Sequence, residues 1–307
     1  PFRKEDRKDK IFIYPPFIYY FLLFFYVIFS KDDIHIFEEE PSLYKRIICN
    51  ISGKKIYVSM YREPYLEYAQ HLKKYKKLSG VFVEDDYHKQ KLIEYGISEF
   101  LIHVSYTPAK IPRKQNEKTI DLSHVNLLFA SWNNAEGDPL TERGLIYLLD
   151  LLVLNPNFYL TVLLRDNNTK KFVEEIEKRS LEDKVRILNV NEKELIEEFD
   201  NCDFVVYPIQ KKLTKDIPNS LIDGISRGKP VILSTVFGFS RTVQKENIGY
   251  ILEPNTNPIK FNFQEDEYYS MSKRAFLVSE KYTKDLYTTN IIKNYIVWRN
   301  NDEDCNY

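Results

Sequence analysis

Short unbroken apolar runs alternate along this chain with segments whose apolar positions recur every three to four residues. That is the pattern of parallel strands buried on both faces and joined by crossover helices. In the first part it predicts strands at Lys10–Tyr14, Asp33–Phe37, Lys55–Ser59, Gly80–Val83 and Phe100–Ser105. Helices are predicted between them, around Phe17–Phe29, Leu43–Asn50, Tyr65–Tyr75 and Asp86–Tyr95. The tract TPAKIPRKQNEKTIDLS, Thr107 to Ser123, is polar, contains prolines and reads as a linker. Beyond it the pattern predicts strands at Val125–Ser131, Tyr159–Arg165, Val185–Asn189, Phe204–Tyr207, Pro230–Leu233 and Tyr250–Leu252. Helices are expected at Glu142–Leu154, Lys170–Ser180 and Glu192–Asp200, and from Glu265 to Trp298 the tail is helical in pattern. The reading is α/β throughout, with two Rossmann-like domains, one on each side of the linker, and no internal repeat beyond the βα alternation.

The most informative stretch is Asp203 to Leu233, DFVVYPIQKKLTKDIPNSLIDGISRGKPVIL. Phe204–Tyr207 is an uninterrupted apolar run. Pro218 then stands at a helix start, where a missing N–H costs nothing, with Asn219 and Ser220 beside it. Gly228 closes the helix, Lys229 is expected beside the negative end of its dipole, and Pro230 opens the next strand. A helix N-terminus aimed at the mouth between parallel strands is an anion site, because its first N–H groups lack intrahelical partners.

Charge and composition narrow the options. With 307 residues there is room for two α/β domains, each with its own core. Lys+Arg 44 against Asp+Glu 45 leaves no basic field to attract nucleic acid. Cys49, Cys202 and Cys305 lie far apart, which fits a reducing compartment, and the histidines form no metal-binding spacing, so no metal is expected. One segment complicates a purely soluble reading. Phe17–Phe29, FIYYFLLFFYVIF, is continuously apolar yet shorter than the roughly 20 residues of a membrane span, and Pro15-Pro16 interrupts it on one side. It is either a helix buried between the sheet and the other domain or a membrane-surface contact, the second reading drawing on Arg3, Lys4, Arg7, Lys8 and Lys10 just upstream.

The core IPNSLIDGISRGKPVI resembles the donor-nucleotide motif of retaining GT-B glycosyltransferases of the group 1, or family 4, type. Further runs extend the resemblance over nearly the whole chain from Asp33 onward. IHIFEEEPSLYKRIICNISGKKIYVSM and SGVFVEDDYHKQKLIEYGISEFLIHVSYTP are similar to passages of the family's first domain. NLLFASWNNAEGDPLTERGLIYLLDLL is similar to the opening of its donor domain. The first domain is shorter than usual: additional strands and a Gly-rich loop before Asp33 are not recognisable. The resemblance implies two Rossmann-like domains facing a cleft. It assigns 1–112 to the acceptor side, 113–123 to a linker, 124–265 to nucleotide-sugar binding, and 266–307 to helices crossing back to the first domain. It also implies a metal-independent, retaining transfer of a sugar from a nucleotide donor such as a UDP- or GDP-sugar to a glycan, lipid-linked or protein hydroxyl. The expected partners include no nucleic acid. The expected location is the cytoplasm, with peripheral contact at the inner membrane face.

Carried over residue by residue, the family's second diphosphate-binding cation falls on Arg143, whose guanidinium can fork two phosphate oxygens. The first falls on Trp132, which can only stack or pack. Arg165, at the end of a predicted strand, is either a compensating phosphate contact or one half of a surface ion pair. The amides of Asn219, Ser220 and Leu221 are expected on the diphosphate, Asp223 on the ribose, and the loop containing Val190 on the base. The family's sugar-contacting acid falls on Lys215, a reversal of charge, and its first-domain histidine falls on Met60. Glu38 and Glu40, in a run of three glutamates after a first-domain strand, are either a solvated turn or the source of the base that activates the acceptor. These departures leave two readings: an active glycosyltransferase, or a catalytically degenerate relative that binds a nucleotide, a glycan or a partner subunit. A sugar-nucleotide epimerase of the same fold fits less well, because its acid and histidine positions are not evident.

Overall fold

The computed structural model describes residues 24–25, 27–29, 33–38, 42–60, 62–115, 119–130, 138, 140–163, 169–188, 192–211 and 217–301. They build two compact units, whose main bodies meet in the chain between Val104 and Ser105.

The first unit runs β1 (Ile34–Glu38), α1 (Leu43–Ser52), β2 (Ile56–Met60), α2 (Leu66–Leu72), β3 (Leu78–Val83), α3 (Asp86–Glu94), a single 3-10 turn, and β4 (Ile102–Val104). All strands are parallel, in the order β1-β2-β3-β4. Every connection therefore steps one strand in the same direction, and right-handed crossovers place the three helices on one face. That face forms the core, where Ile36, Val58, Met60, Val81 and Val83 meet Cys49, Tyr68, Leu72 and Leu92 from the helices. Side-chain caps fix the helix starts: Ser42 accepts from the Lys45 amide, and Asp85 accepts from the His88 amide at 2.7 Å. The outer side of α1 is apolar, with Leu43, Tyr44, Ile47 and Ile51 all exposed.

The second unit runs β5 (Val125–Phe129), α4 (Leu145–Leu154), β6 (Phe158–Leu163), α5 (Lys170–Glu177), β7 (Val185–Leu188), α6 (Glu192–Asn201), β8 (Phe204–Tyr207), α7 (Asn219–Ser226), β9 (Val231–Ser234), α8 (Ser240–Glu246) and β10 (Gly249–Leu252). It finishes with α9 (Glu265–Val278), a 3-10 turn at Ser279–Tyr282, and α10 (Lys284–Asn301). Its six parallel strands stand in the order β10-β9-β8-β5-β6-β7. Successive strand residues feed cores on opposite faces. Leu127, Phe129, Phe204 and Val206 enter one; Leu128, Val205 and Tyr207 enter the other. This two-sided burial is why the strands read as continuous apolar runs rather than alternating ones.

The predicted elements from Asp33 onward are present with small shifts at their ends, while the strand expected at Lys10–Tyr14 lies outside the described residues. Two details differ. The short helix α8 has no counterpart among the predicted elements, and the helical pattern of the tail, read without an internal boundary, is interrupted at Ser279–Tyr282. The break has a visible cause: the Tyr282 carbonyl leaves the helical ladder to accept the Ala109 amide at 2.8 Å. The tract around residues 105–114, expected in part as linker, is held along the second unit rather than left loose. Ala109 and Ile111 are buried in its core, and Arg113 donates to Ser279 Oγ and to the Phe276 carbonyl while its guanidinium stacks over the Phe276 ring.

Candidate functional site

The second sheet reverses direction once. From β5 the chain crosses to β6 on one side, and from β8 it crosses to β9 on the other, although β5 and β8 are themselves neighbours. The loops leaving their carboxyl ends must diverge, and the crevice so formed is where open α/β sheets bind ligands. Helix α7 starts at this crevice. The Tyr207 hydroxyl, at the end of β8, donates to Ser220 Oγ, which in turn donates to the carbonyl of Ala130, just past β5. Both contacts are 2.5 Å, so Ser220 ties the helix start to both strands of the reversal. The Ser220 hydroxyl is thereby engaged at the end of β5. Pro218 occupies the cap position and supplies no side-chain acceptor to the first turn. Behind that turn the helix is wholly buried from Leu221 to Ser226. It closes as predicted in a Schellman turn, with Gly228 at φ 67° and the Lys229 amide reaching back to the Gly224 carbonyl at 3.1 Å.

Arg143 stands on the loop between β5 and α4. It is 2% exposed, and burial pushes its pKa below the ordinary guanidinium value. A network of short contacts shapes the loop: Asp138 accepts from Thr141 Oγ1 and the Leu140 amide, and Glu142 Oε2 accepts from the Asp138 amide. The next residue, Gly144, has φ 77°, and a Cβ there would lie 2.1 Å from the Pro208 carbonyl oxygen. Only glycine lets this loop pass so close to the end of β8. Gln210 fastens the same region, since its amide donates to the Glu142 carbonyl and its Oε1 accepts from the Asn255 amide at 2.6 Å. One residue thus links the loops that follow β5, β8 and β10.

Asp223 lies on α7 and is 2% exposed. Its Oδ1 accepts the amides of Lys110 at 2.6 Å and Ile111 at 3.3 Å. Burial raises its pKa above the ordinary carboxylate value, with those two hydrogen bonds opposing the shift. Around it, Arg227 forks both oxygens of Asp200 and donates a further bond to the Pro112 carbonyl. Lys229 departs from expectation. Its Nζ is buried and donates to the carbonyls of Asp200 and Cys202, so it serves the end of α6 rather than the end of its own helix.

The predicted residues are therefore brought together in part. Arg143, Asn219, Ser220, Leu221 and Asp223 all belong to the loops and the helix at the reversal. Trp132, Arg165, Val190, Lys215 and Glu40 lie outside the described residues. Glu38 is the last residue of β1, at the carboxyl edge of the other sheet. Met60, in the position of the family's histidine, is 3% exposed and packs into the first unit's core. His35 is a sheet residue as expected: it shares a 2.8 Å hydrogen bond with Ser59, stacks on Phe82, and burial lowers its pKa. Tyr207 and Gln210 escaped the sequence reading. Tyr207 looks like one more core aromatic, and a lone Gln in a polar loop carries no signal.

Among the described residues no group of His, Cys, Asp and Glu could hold a metal ion, and no helix is long and apolar enough to cross a membrane. Residues 140–275 match the family model described as "Glycosyl transferases group 1", a stretch spanning Arg143 through α9. No curated protein matches the sequence significantly. Among solved structures, Alr3699/HepE of Anabaena in complex with UDP is similar at a TM-score of 0.66 and 13% identity, over 91% of this chain and 82% of that one. A glycosyltransferase from Rickettsia africae aligns at 0.65 and 17% identity, covering 96% and 84%. The lipopolysaccharide outer core galactosyltransferase WaaB, in its apo form, aligns at 0.61 and 14% identity, covering 91% and 79%. The fold is that of the GT-B glycosyltransferases, and residues 140–275 of its second unit are similar to the group 1 glycosyltransferase model.

Proposed function

We propose that this chain transfers a sugar from a nucleotide-sugar donor to a hydroxyl of a glycan, lipid-linked or protein acceptor, with retention and without a metal. One observation carries the reading: the first turn of α7 opens at the β5/β8 reversal, in a domain that matches the group 1 model. First-turn amides and a partly desolvated guanidinium suit a diphosphate leaving group, because both concentrate positive potential where charge develops as the anomeric C–O bond breaks. The donor diphosphate is accordingly assigned to the amides of Asn219 and Ser220 and to Arg143, since the Leu221 amide, expected on the diphosphate as well, donates to the Pro218 carbonyl at 3.1 Å. Arg165 and Trp132 are assigned to the same end of the donor, Lys215 to the sugar and the loop at Val190 to the base. Glu38 or Glu40 takes the proton of the acceptor hydroxyl. Support for a UDP-sugar comes from Alr3699/HepE, which has been solved with UDP and with UDP-glucose.

Contact with a membrane surface belongs to the same proposal. Phe17–Leu23 lie outside the described residues. Further along that segment, Phe25 and Phe29 are 42% and 76% exposed and stack on each other. The apolar outer side of α1 adds to the exposed surface of the first unit.

Isothermal titration with a panel of UDP- and GDP-sugars tests the donor assignment. Binding of at least one, lost in Arg143→Ala, is expected; no heat from any of them contradicts it. Met60 favours the alternative of a non-catalytic, nucleotide-binding relative, since its side chain is packed in the core where the family has a reactive-side histidine. Donor hydrolysis or transfer by the purified chain, abolished in Arg143→Ala, decides against that alternative.

A further inference from the structure

Asp223 occupies the position at which the family's acid reads the donor ribose, yet its carboxylate is already engaged inside the second unit. Oδ1 holds the amides of Lys110 and Ile111, and a contact of 2.6 Å to Lys110 is short for a backbone N–H donor. The hydrogen bonds on either side continue the same pattern. The Lys114 amide donates to the Ser226 carbonyl at 3.0 Å, Arg227 Nη1 donates to the Pro112 carbonyl at 3.0 Å, and the Ala109 amide donates to Tyr282. The tract that follows Val104 is thus bound along the middle and C-terminal end of α7. The N-terminal turn of that helix faces the β5/β8 crevice.

We infer that Asp223 is a positioning residue that pins this tract to α7 and so sets the helix whose first turn receives the diphosphate, while the ribose is read by other groups. The inference rests on the assignment of the donor to that turn. The chemistry is consistent with the residue type. Aspartate is one methylene shorter than the family's glutamate, and a carboxylate held close to the helix reaches two consecutive backbone amides. Charged acceptors in buried sites bind such amides more strongly than neutral ones.

Two measurements on the full chain test it. In hydrogen exchange, Asp223→Ala is expected to speed exchange of the Lys110 and Ile111 amides on the order of tenfold or more. Asp223→Asn, whose amide oxygen still accepts, keeps them protected. In titration with UDP and 2′-deoxy-UDP, the ratio of the two affinities is expected to be the same in wild type and Asp223→Asn. If that ratio collapses toward one in Asp223→Asn, the carboxylate reads the ribose and the inference is overturned. Unchanged exchange at residues 110 and 111 in Asp223→Ala overturns it as well. Should UDP fail to bind the wild type, the donor assignment falls, and the exchange result alone decides whether Asp223 pins the tract. If Asp223→Ala does not fold, Asp223→Leu, close in size and without an acceptor, replaces it in the exchange arm, with the same two outcomes.

Discussion

The two units use the same building block, a parallel strand followed by a helix, and differ in one topological respect. In the first, the described strands advance in one direction, β1 to β4, so no pair of neighbouring strands sends its loops apart. In the second, the order reverses between β5 and β8, and the loop that carries Arg143, the first turn of α7 and the Tyr207–Ser220–Ala130 tie all follow those two strands. The edge of the first sheet instead ends in Met60, turned into the core, and Glu38. Site formation in this chain follows from strand order more than from the amino acids of any one strand.

The comparison can be broken most severely at Gly144. Gly144→Ala places a Cβ on the Pro208 carbonyl and forces a positive φ on a residue with a side chain. A loss of about 3 kcal/mol or more in urea unfolding of the second unit is expected. Arg143→Ala comes next. It should lower transfer on the order of a hundredfold and weaken UDP binding in titration, while Arg143→Lys recovers only part, because a point charge lacks the planar fork. Met60→His probes the other sheet. A ring buried among aliphatic side chains is expected to cost about 1–3 kcal/mol in thermal unfolding and to bring no gain in turnover.

Ser220→Ala sharpens the account at the level of single atoms. It removes the tie of the α7 start to the ends of β5 and β8 at a cost of about 1 kcal/mol, yet leaves the backbone amides in place. UDP binding should therefore persist, with at most a few-fold loss; complete loss would mean that the hydroxyl itself carries the anion. The smallest effect expected is a pH dependence. Burial raises the pKa of Asp223, so its ionisation costs stability as pH rises through the folded-state value, and this penalty is absent below the ordinary carboxylate pKa. The stability of Asp223→Asn relative to wild type should accordingly climb as pH increases across that window and then level off. A flat difference from about pH 3 to pH 8 would show that the carboxylate is not desolvated.

Much of this fold was legible because two-sided burial writes itself into sequence as unbroken apolar strands, Phe204–Tyr207 being the clearest. The βα alternation and the helix boundaries at Gly228 and Pro218 followed from the same local chemistry. What was not legible depends on contacts distant along the chain. Lys229 looks like a cap for its own helix, yet it serves α6, nearly thirty residues earlier. The Asp223 carboxylate meets amides of Lys110 and Ile111, more than a hundred residues away, and no local pattern announces that contact. At the break in the tail the Tyr282 carbonyl accepts the Ala109 amide and Arg113 donates to Ser279, distant contacts that add to the local cap Thr283 gives the next helix. The start of α7 at Pro218 was legible because proline and a helix start carry their meaning locally; the ties that hold that turn in place were not.

The most direct test of the central claim is a crystal of the full chain soaked with UDP. The account predicts the diphosphate within hydrogen-bond distance of the Asn219 and Ser220 amides, with the Arg143 guanidinium on its other side. Nucleotide density elsewhere, or a first turn of α7 left without phosphate at saturating UDP, would contradict it.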